Sequence, residues 1–319
     1  MSHLALGAGP EFDRIRAITR ALGDSAASLG DDCAVLETGP GHVVMSTDVS
    51  VEGIHFRAEW LTPEEIGWRA AAAALSDLAA AGARCAGLLA AVTVPATADD
   101  EALVAVMRGV GSAVRAVDGR VLGGDLARGP GWSLAISVVG QAEHPLSRAG
   151  ARPGDGVWVT GQLGGARAAV ASWKGGAVPS PTARSAFAHP EPRLGAGRWL
   201  ATHGATAMID LSDGLGADAG HLAAASGVAL ELNVAAVPVS PAVRSVGGEE
   251  PAAVFAARGG EDYELLVTLP SAFGAADADA FRRECGLPLT EVGRVIAGAG
   301  ARVLLDGQPV DARGFDHFA

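Results

Sequence analysis

The sequence predicts a two-domain α/β protein of the α+β type. Helix-spaced apolar positions alternate with short apolar runs over most of the chain, the pattern of mixed helices and strands. Near 143–155 the composition changes to HPLSRAGARPGD, a stretch with the turn residues and charges of a domain junction. A second series of alternating elements then begins, which places the domains at 1–145 and 146–319.

The elements follow in order. Segment 11–22 carries Phe12, Ile15, Ile18 and Leu22 at helical spacing. Residues 43–51 read as a strand. Thr62 and Glu65 form a capping box with Pro63 at the first helical position, so a helix starts there and runs to about Ala81. A strand at 87–94 and a helix at 99–117 come next, and Val121 and Leu122 lead into a Gly-rich turn before a strand at 132–141. The second series holds strands at 157–160, 207–209, 263–269, 290–296 and 302–305, with helices at 165–173 and 215–226.

Composition narrows the function. Hydrophobic residues are 49% of 319, enough for two cores, but aromatics are only 5%, so Ala, Val and Leu must fill them. The net charge of −12 opposes broad binding to nucleic acid or anionic membranes. Cys33, Cys85 and Cys285 are odd in number and widely spaced, which argues against a disulfide framework or zinc site. No run approaches the roughly 18 apolar residues of a membrane span, and the opening MSHLALGAGPEFDRIR has no apolar segment after basic residues. A cytoplasmic protein is expected.

The chemical signal is the placement of Asp. Clusters occur at Asp31-Asp32, Ser46-Thr47-Asp48, Ser76-Asp77, Gly124-Asp125 and Asp210-Leu211-Ser212-Asp213. Each alone has an ordinary reading as a cap or turn. Together they differ, because Asp210 directly follows the apolar run 207–209 and Asp48 follows the run VVM, and buried carboxylates need partners or cations. Lys and Arg total only 24 and are not interleaved with them. Mg²⁺ takes hard oxygen ligands and is commonly shared with substrate phosphates, so several converging Asp side chains point to phosphate chemistry. The P-loop and G-x-G-x-x-G patterns are absent; the loop Thr160-Gly161-Gln162-Leu163-Gly164-Gly165 suits either a phosphate or tight strand-to-helix packing.

The ordered motifs GDDCAVL, STDVSVEGIHF, ALSDLAAAGA, GGDLARG, LSRAGARPGD, VTGQLGGA, IDLSDGLGAD and GGEDYELL resemble the thiamine-monophosphate kinases, within the superfamily of aminoimidazole ribonucleotide synthetase. The resemblance implies an N-terminal mixed-sheet domain that binds ATP and magnesium and forms a homodimer, plus a C-terminal α/β domain. It implies several Mg²⁺ ions on Asp32, Ser46, Thr47, Asp48, Asp77, Asp125, Asp210 and Asp213. It implies ATP contacts at Gly124, Asp125, Arg148 and Ser212, and thiamine monophosphate contacts at His55, Glu261 and Phe315. Leu126 stands where the family commonly has Thr, and Phe315 where Tyr or Trp is common. In-line transfer from ATP to an already anionic phosphate needs no covalent nucleophile or general base, so none is assigned. Two other readings stay open: another ATP-using member resembling aminoimidazole ribonucleotide synthetase, and a non-catalytic nucleotide-binding scaffold.

Overall fold

The computed structural model describes residues 31–37, 41–246, 250–312 and 314, together with Asp13 and Arg16. The expected helix at 11–22 and Phe315 therefore lie outside the described residues. Two mixed sheets are present. The first holds β1 (Ala34–Glu37), β2 (His42–Val51), β3 (Arg84–Pro95), β4 (Val121–Gly129) and β5 (Ser133–Ala142) in the order β1-β2-β5-β3-β4. The second holds β6 (Gly156–Thr160), β7 (Ala207–Asp210), β8 (Ala229–Asn233), β9 (Leu265–Leu269), β10 (Leu289–Ile296), β11 (Gly300–Leu305) and β12 (Gln308–Pro309), in the order β12-β11-β8-β10-β6-β9-β7. Pairing is antiparallel except for β3 with β4 and β8 with β11.

The capping box predicts the start of α1 (Pro63–Ala80) correctly: the Thr62 hydroxyl accepts from the Glu65 N–H, and Glu65 accepts from the Thr62 N–H at 2.8 Å. This helix is buried nearly all round. Its alanines let other elements approach closely, and α2 (Asp100–Arg115) crosses it with Gly67 against Val106 and Gly109 against Glu64. A Cβ on Gly67 would lie 1.8 Å from the Val106 carbonyl oxygen, so a side chain there would push the helices apart. On its other side α1 packs on α5 (Leu194–Thr202) and on β7, both from the second half of the chain. One apolar core accordingly runs from Val44 and Ile136 through α1 to Leu200 and Met208, and a second fills the space around β8 and α6 (Leu215–Ser226).

The remaining helices are α3 (Gly165–Lys174), α4 (Pro181–Ala188), α7 (Ala252–Ala257) and α8 (Ala275–Cys285). No helix among the described residues is long and apolar enough to cross a membrane. One expectation is corrected. The Gly-rich stretch at 123–125 is not a turn but the middle of β4. Gly124 lies against β3 so closely that a Cβ would sit 2.0 Å from the Ala90 carbonyl oxygen, so glycine here permits strand pairing.

Candidate functional site

A cleft of about 950 Å³ opens between the two halves. Its floor is acidic. Asp32 enters just before β1, Asp48 from β2, Asp77 from the last turn of α1, and Asp210 from the end of β7. Carboxylate oxygens of Asp32, Asp77 and Asp210 all lie within 4.8 Å of one another. A second close group, Asp213, Asp218 and His221, lies on the loop after β7 and the first turns of α6.

Few cations answer these charges. Arg148 grips Asp32 with both arms of its guanidinium, Nη2 to Oδ1 at 2.5 Å and Nε to Oδ2 at 3.1 Å, while its backbone N–H donates to Asp31 Oδ1 at 3.1 Å. Burial works against the charge on Arg148, but Asp32, Asp31 and Asp210 outweigh it and raise its pKa. Asp77 receives the Ser46 hydroxyl at 2.5 Å. Burial, and then the neighbouring Asp210, Asp48 and Asp32, push the Asp77 carboxyl well above the usual range. Burial followed by Asp32 raises Asp210 to about 8. Asp218 is raised by burial and by Asp213 and Asp210, although its Oδ2 accepts the Asp213 and Gly214 N–H groups.

Raised carboxyls have a consequence for stability. Between an unfolded pKa near 4 and a folded one near 8, the native state holds more protons than the unfolded chain, so stability falls as pH rises. A cation bound to the carboxylates would cancel that loss. The melting temperature in EDTA is therefore expected to drop below that in Mg²⁺ by a margin that widens from about pH 5.5 to about pH 8. A margin that stays constant over that range would contradict the geometry.

The cleft also has aromatic lining. Trp60 and Phe187 line it, and Trp60 stacks on Trp173 with centroids 4.9 Å apart and planes 7° from parallel. His55 and Glu261 line this cleft as well, as do Ser212 and Asp213. Glu261 pairs with the buried Arg69 and accepts the Tyr263 hydroxyl at 3.1 Å.

Of the residues singled out from sequence, Asp32, Asp48, Asp77, Asp210, Asp213, Arg148, Ser212, His55 and Glu261 are brought to one cleft, with Ser46 bonded to Asp77. Thr47, Gly124 and Asp125 are not. Side chains alternate along β2, so Thr47 points away from Ser46 and Asp48, and its hydroxyl meets Ser137 at 2.8 Å on the sheet's outer face. Gly124 shares a cross-sheet row with Asp48 through Ile136 and Ala90, three strand spacings or roughly 14 Å away. Asp125 is exposed beside it, level with Ala91. Sequence reasoning missed Asp218 and His221, whose spacing of three on one helix was the available signal, and missed Arg69 and Trp60 altogether.

Comparison with known proteins gives a consistent picture. Residues 30–142 match the AIR synthase related protein N-terminal domain, and residues 152–306 match the corresponding C-terminal domain. The thiamine-monophosphate kinase of Salmonella typhimurium is 36% identical over 319 residues, covering 97% of this chain and 96% of its own. That of Halobacterium salinarum is 36% identical over 304 residues, covering 95% and 99%. Among solved structures, AaThiL complexed with AMPPCP and TMP superposes with a TM-score of 0.87 at 31% identity, covering 97% of both chains. The thiamine-monophosphate kinase of Stenotrophomonas maltophilia gives 0.77 at 35% identity, covering 97% and 99%. A hydrogenase maturation protein HypE in complex with ATP, at 19% identity and a TM-score of 0.73, shares the fold.

Proposed function

As the chain belongs to the thiamine-monophosphate kinases of the AIR synthase related family, we infer that it transfers the γ-phosphoryl group of ATP to thiamine monophosphate. The products are ADP and thiamine diphosphate. The observation that carries this reading is a single cleft lined both by converging carboxylates and by the aromatic rings of Trp60 and Phe187. A ligand with a phosphate on one side and heteroaromatic rings on the other fits such a space.

The all-oxygen group Asp32, Asp77 and Asp210, with Asp48 beside it, has the donor chemistry for Mg²⁺. Asp213, with Asp218, would hold a further ion. Magnesium bound there would neutralise the phosphates of both substrates. The chain's own residues do the rest. Ser46 orients Asp77, and Arg148 holds Asp32 and is placed to meet an ATP phosphate. Ser212 lies beside Asp213 for the same nucleotide. His55 and Glu261 face the thiamine end, and Phe315 is assigned there by resemblance. An anionic phosphate oxygen of thiamine monophosphate attacks the γ-phosphorus in line as the bond to ADP breaks, so positioning and charge neutralisation carry the catalysis. With ATP and Mg²⁺, thiamine monophosphate should yield ADP and thiamine diphosphate, while free thiamine should be a poor acceptor. Equal turnover of both would sink the assignment.

The domain junction is placed at 145/146, between the two sheets. A homodimer is proposed through the first sheet, whose outer face exposes Met45, Val49 and Leu89 around Ala91 and Ala135. An apolar row of this kind marks an association surface. Thr47 and Asp125 share that face, and Gly124 precedes Asp125 on the edge strand β4, so their part in holding ATP and Mg²⁺ is assigned to the assembled dimer. Light scattering at micromolar concentration should report twice 31.9 kDa; a monomer would contradict the proposal.

A further inference from the structure

Arg69 does not line the cleft, yet three residues that do line it converge on it. It sits on α1 and is only 2% exposed. Its Nη1 donates to the Phe187 carbonyl at 2.7 Å, and its guanidinium lies 3.8 Å from the centroid of the Phe187 ring. Its other arm pairs with Glu261, which also accepts from Tyr263, and the Tyr263 ring lies 6.0 Å away. Glu261 and Tyr263 have φ values of +69° and +51°, unusual for residues with side chains. Backbone bonds hold them there: the Glu261 N–H donates to the Ser212 carbonyl at 2.7 Å and the Tyr263 N–H to the Leu211 carbonyl at 2.9 Å. The segment is thereby tied to the loop carrying Asp210 and Asp213.

We propose that Arg69 is a positioning residue for thiamine monophosphate, fixing the ring wall at Phe187 and the carboxylate at Glu261 to the same helix that carries Asp77. This rests on the kinase reading. Asp77 lies eight residues further along α1, about 12 Å at helical rise. One rigid element therefore sets the distance between the pocket for the organic rings and the carboxylates at the reacting phosphate. The planar fork supplies the fixed directions, to the Phe187 carbonyl and to Glu261, that a lysine cannot. A second consequence concerns Glu261. Its charge is matched within the protein, so it meets the substrate as an oriented hydrogen-bond acceptor and not as a free counter-ion for the cationic ring.

The test compares Arg69→Met in the wild-type and Glu261→Ala backgrounds, with KM for each substrate, kcat, thermal melts and thiamine monophosphate titrations followed by tryptophan fluorescence. Arg69→Met should raise KM for thiamine monophosphate about 10- to 100-fold, as expected for the loss of a charged hydrogen bond and a buried ion pair, and change KM for ATP by less than about twofold. In the Glu261→Ala background the same substitution should act at least about threefold less, because part of its path is already gone. If Arg69→Met does not fold, Arg69→Lys, which keeps the charge in place, carries the same comparison. Equal increases in both KM values, equal effects in both backgrounds, or no effect would overturn the proposal. A wild-type enzyme that did not phosphorylate thiamine monophosphate would overturn the kinase reading instead.

Discussion

Asp77→Asn is expected to lower kcat about 100- to 1,000-fold, a loss of about 3–4 kcal/mol of transition-state stabilisation. Asn keeps the shape of the side chain and still accepts the Ser46 hydroxyl, so a residue serving only as a cap or turn would tolerate it. What it loses is the charge shared with Asp32 and Asp210. Stability in EDTA should move the other way. The Asp77 carboxyl is driven upward by burial and by Asp210, Asp48 and Asp32, so a neutral amide relieves a repulsion that the metal-free wild type must bear. The variant should melt at the same temperature as wild type or higher in EDTA, and gain much less from Mg²⁺ and ATP. An active variant with an unchanged ligand-induced shift would return this cluster to a structural role.

The parts of the fold that were legible in the sequence are those fixed by local chemistry. Thr62, Pro63 and Glu65 act within one helical turn, and α1 starts where they require. The helix at 215–226 is bounded by Gly214 and Gly227, and it matches α6. Elements set by distant packing were missed. In α8 only Phe281 is buried, so no apolar stripe marks it as a helix. The ALELN of β8 is too short to separate from its Ala-rich surroundings and becomes a strand by pairing with β10 and β11. The two glycines of β4 carry a turn signal, yet tertiary pairing with β3 uses them for close approach.

The site was legible to the extent that carboxylates followed apolar runs. Asp210 betrays itself by ending a fully buried strand, and Asp48 by standing within a strand that carries the apolar run VVM. Convergence is another matter, since it depends on α1 threading between the halves. Nothing in the sequence distinguishes Arg69 from a solvated helix residue, because an Ala-rich helix has no polar face to compare it with. The split of Gly124 and Asp125 from Asp48 arises from strand order, with β5 and β3 intervening, and order is not written in any one motif.

Arg148→Ala should show the opposite signature to Asp77→Asn. Arg148 makes a two-pronged bond to Asp32, whose side chain is only 4% exposed. Removing the guanidinium leaves that carboxylate buried among Asp31, Asp77 and Asp210 with its cation gone. Breaking one partner of a buried pair costs about 3–5 kcal/mol, and the cost should fall on the metal-free protein. In EDTA near pH 8 the variant should melt well below wild type. Near pH 5.5, where the raised carboxyl of Asp210 is protonated in the native state, the gap should narrow. Excess Mg²⁺ should narrow it further, because a bound cation takes over the role of the guanidinium. Binding should separate too, since Arg148 is assigned to the nucleotide: affinity for ATP should fall by roughly 10- to 100-fold, with thiamine monophosphate affected less. The two variants bracket the reading of the cleft. If both destabilised the metal-free protein alike, the carboxylates would be acting as ordinary structural partners. Opposite signs on the same melt, with activity lost in both, are what a site built to hold cations and phosphates requires.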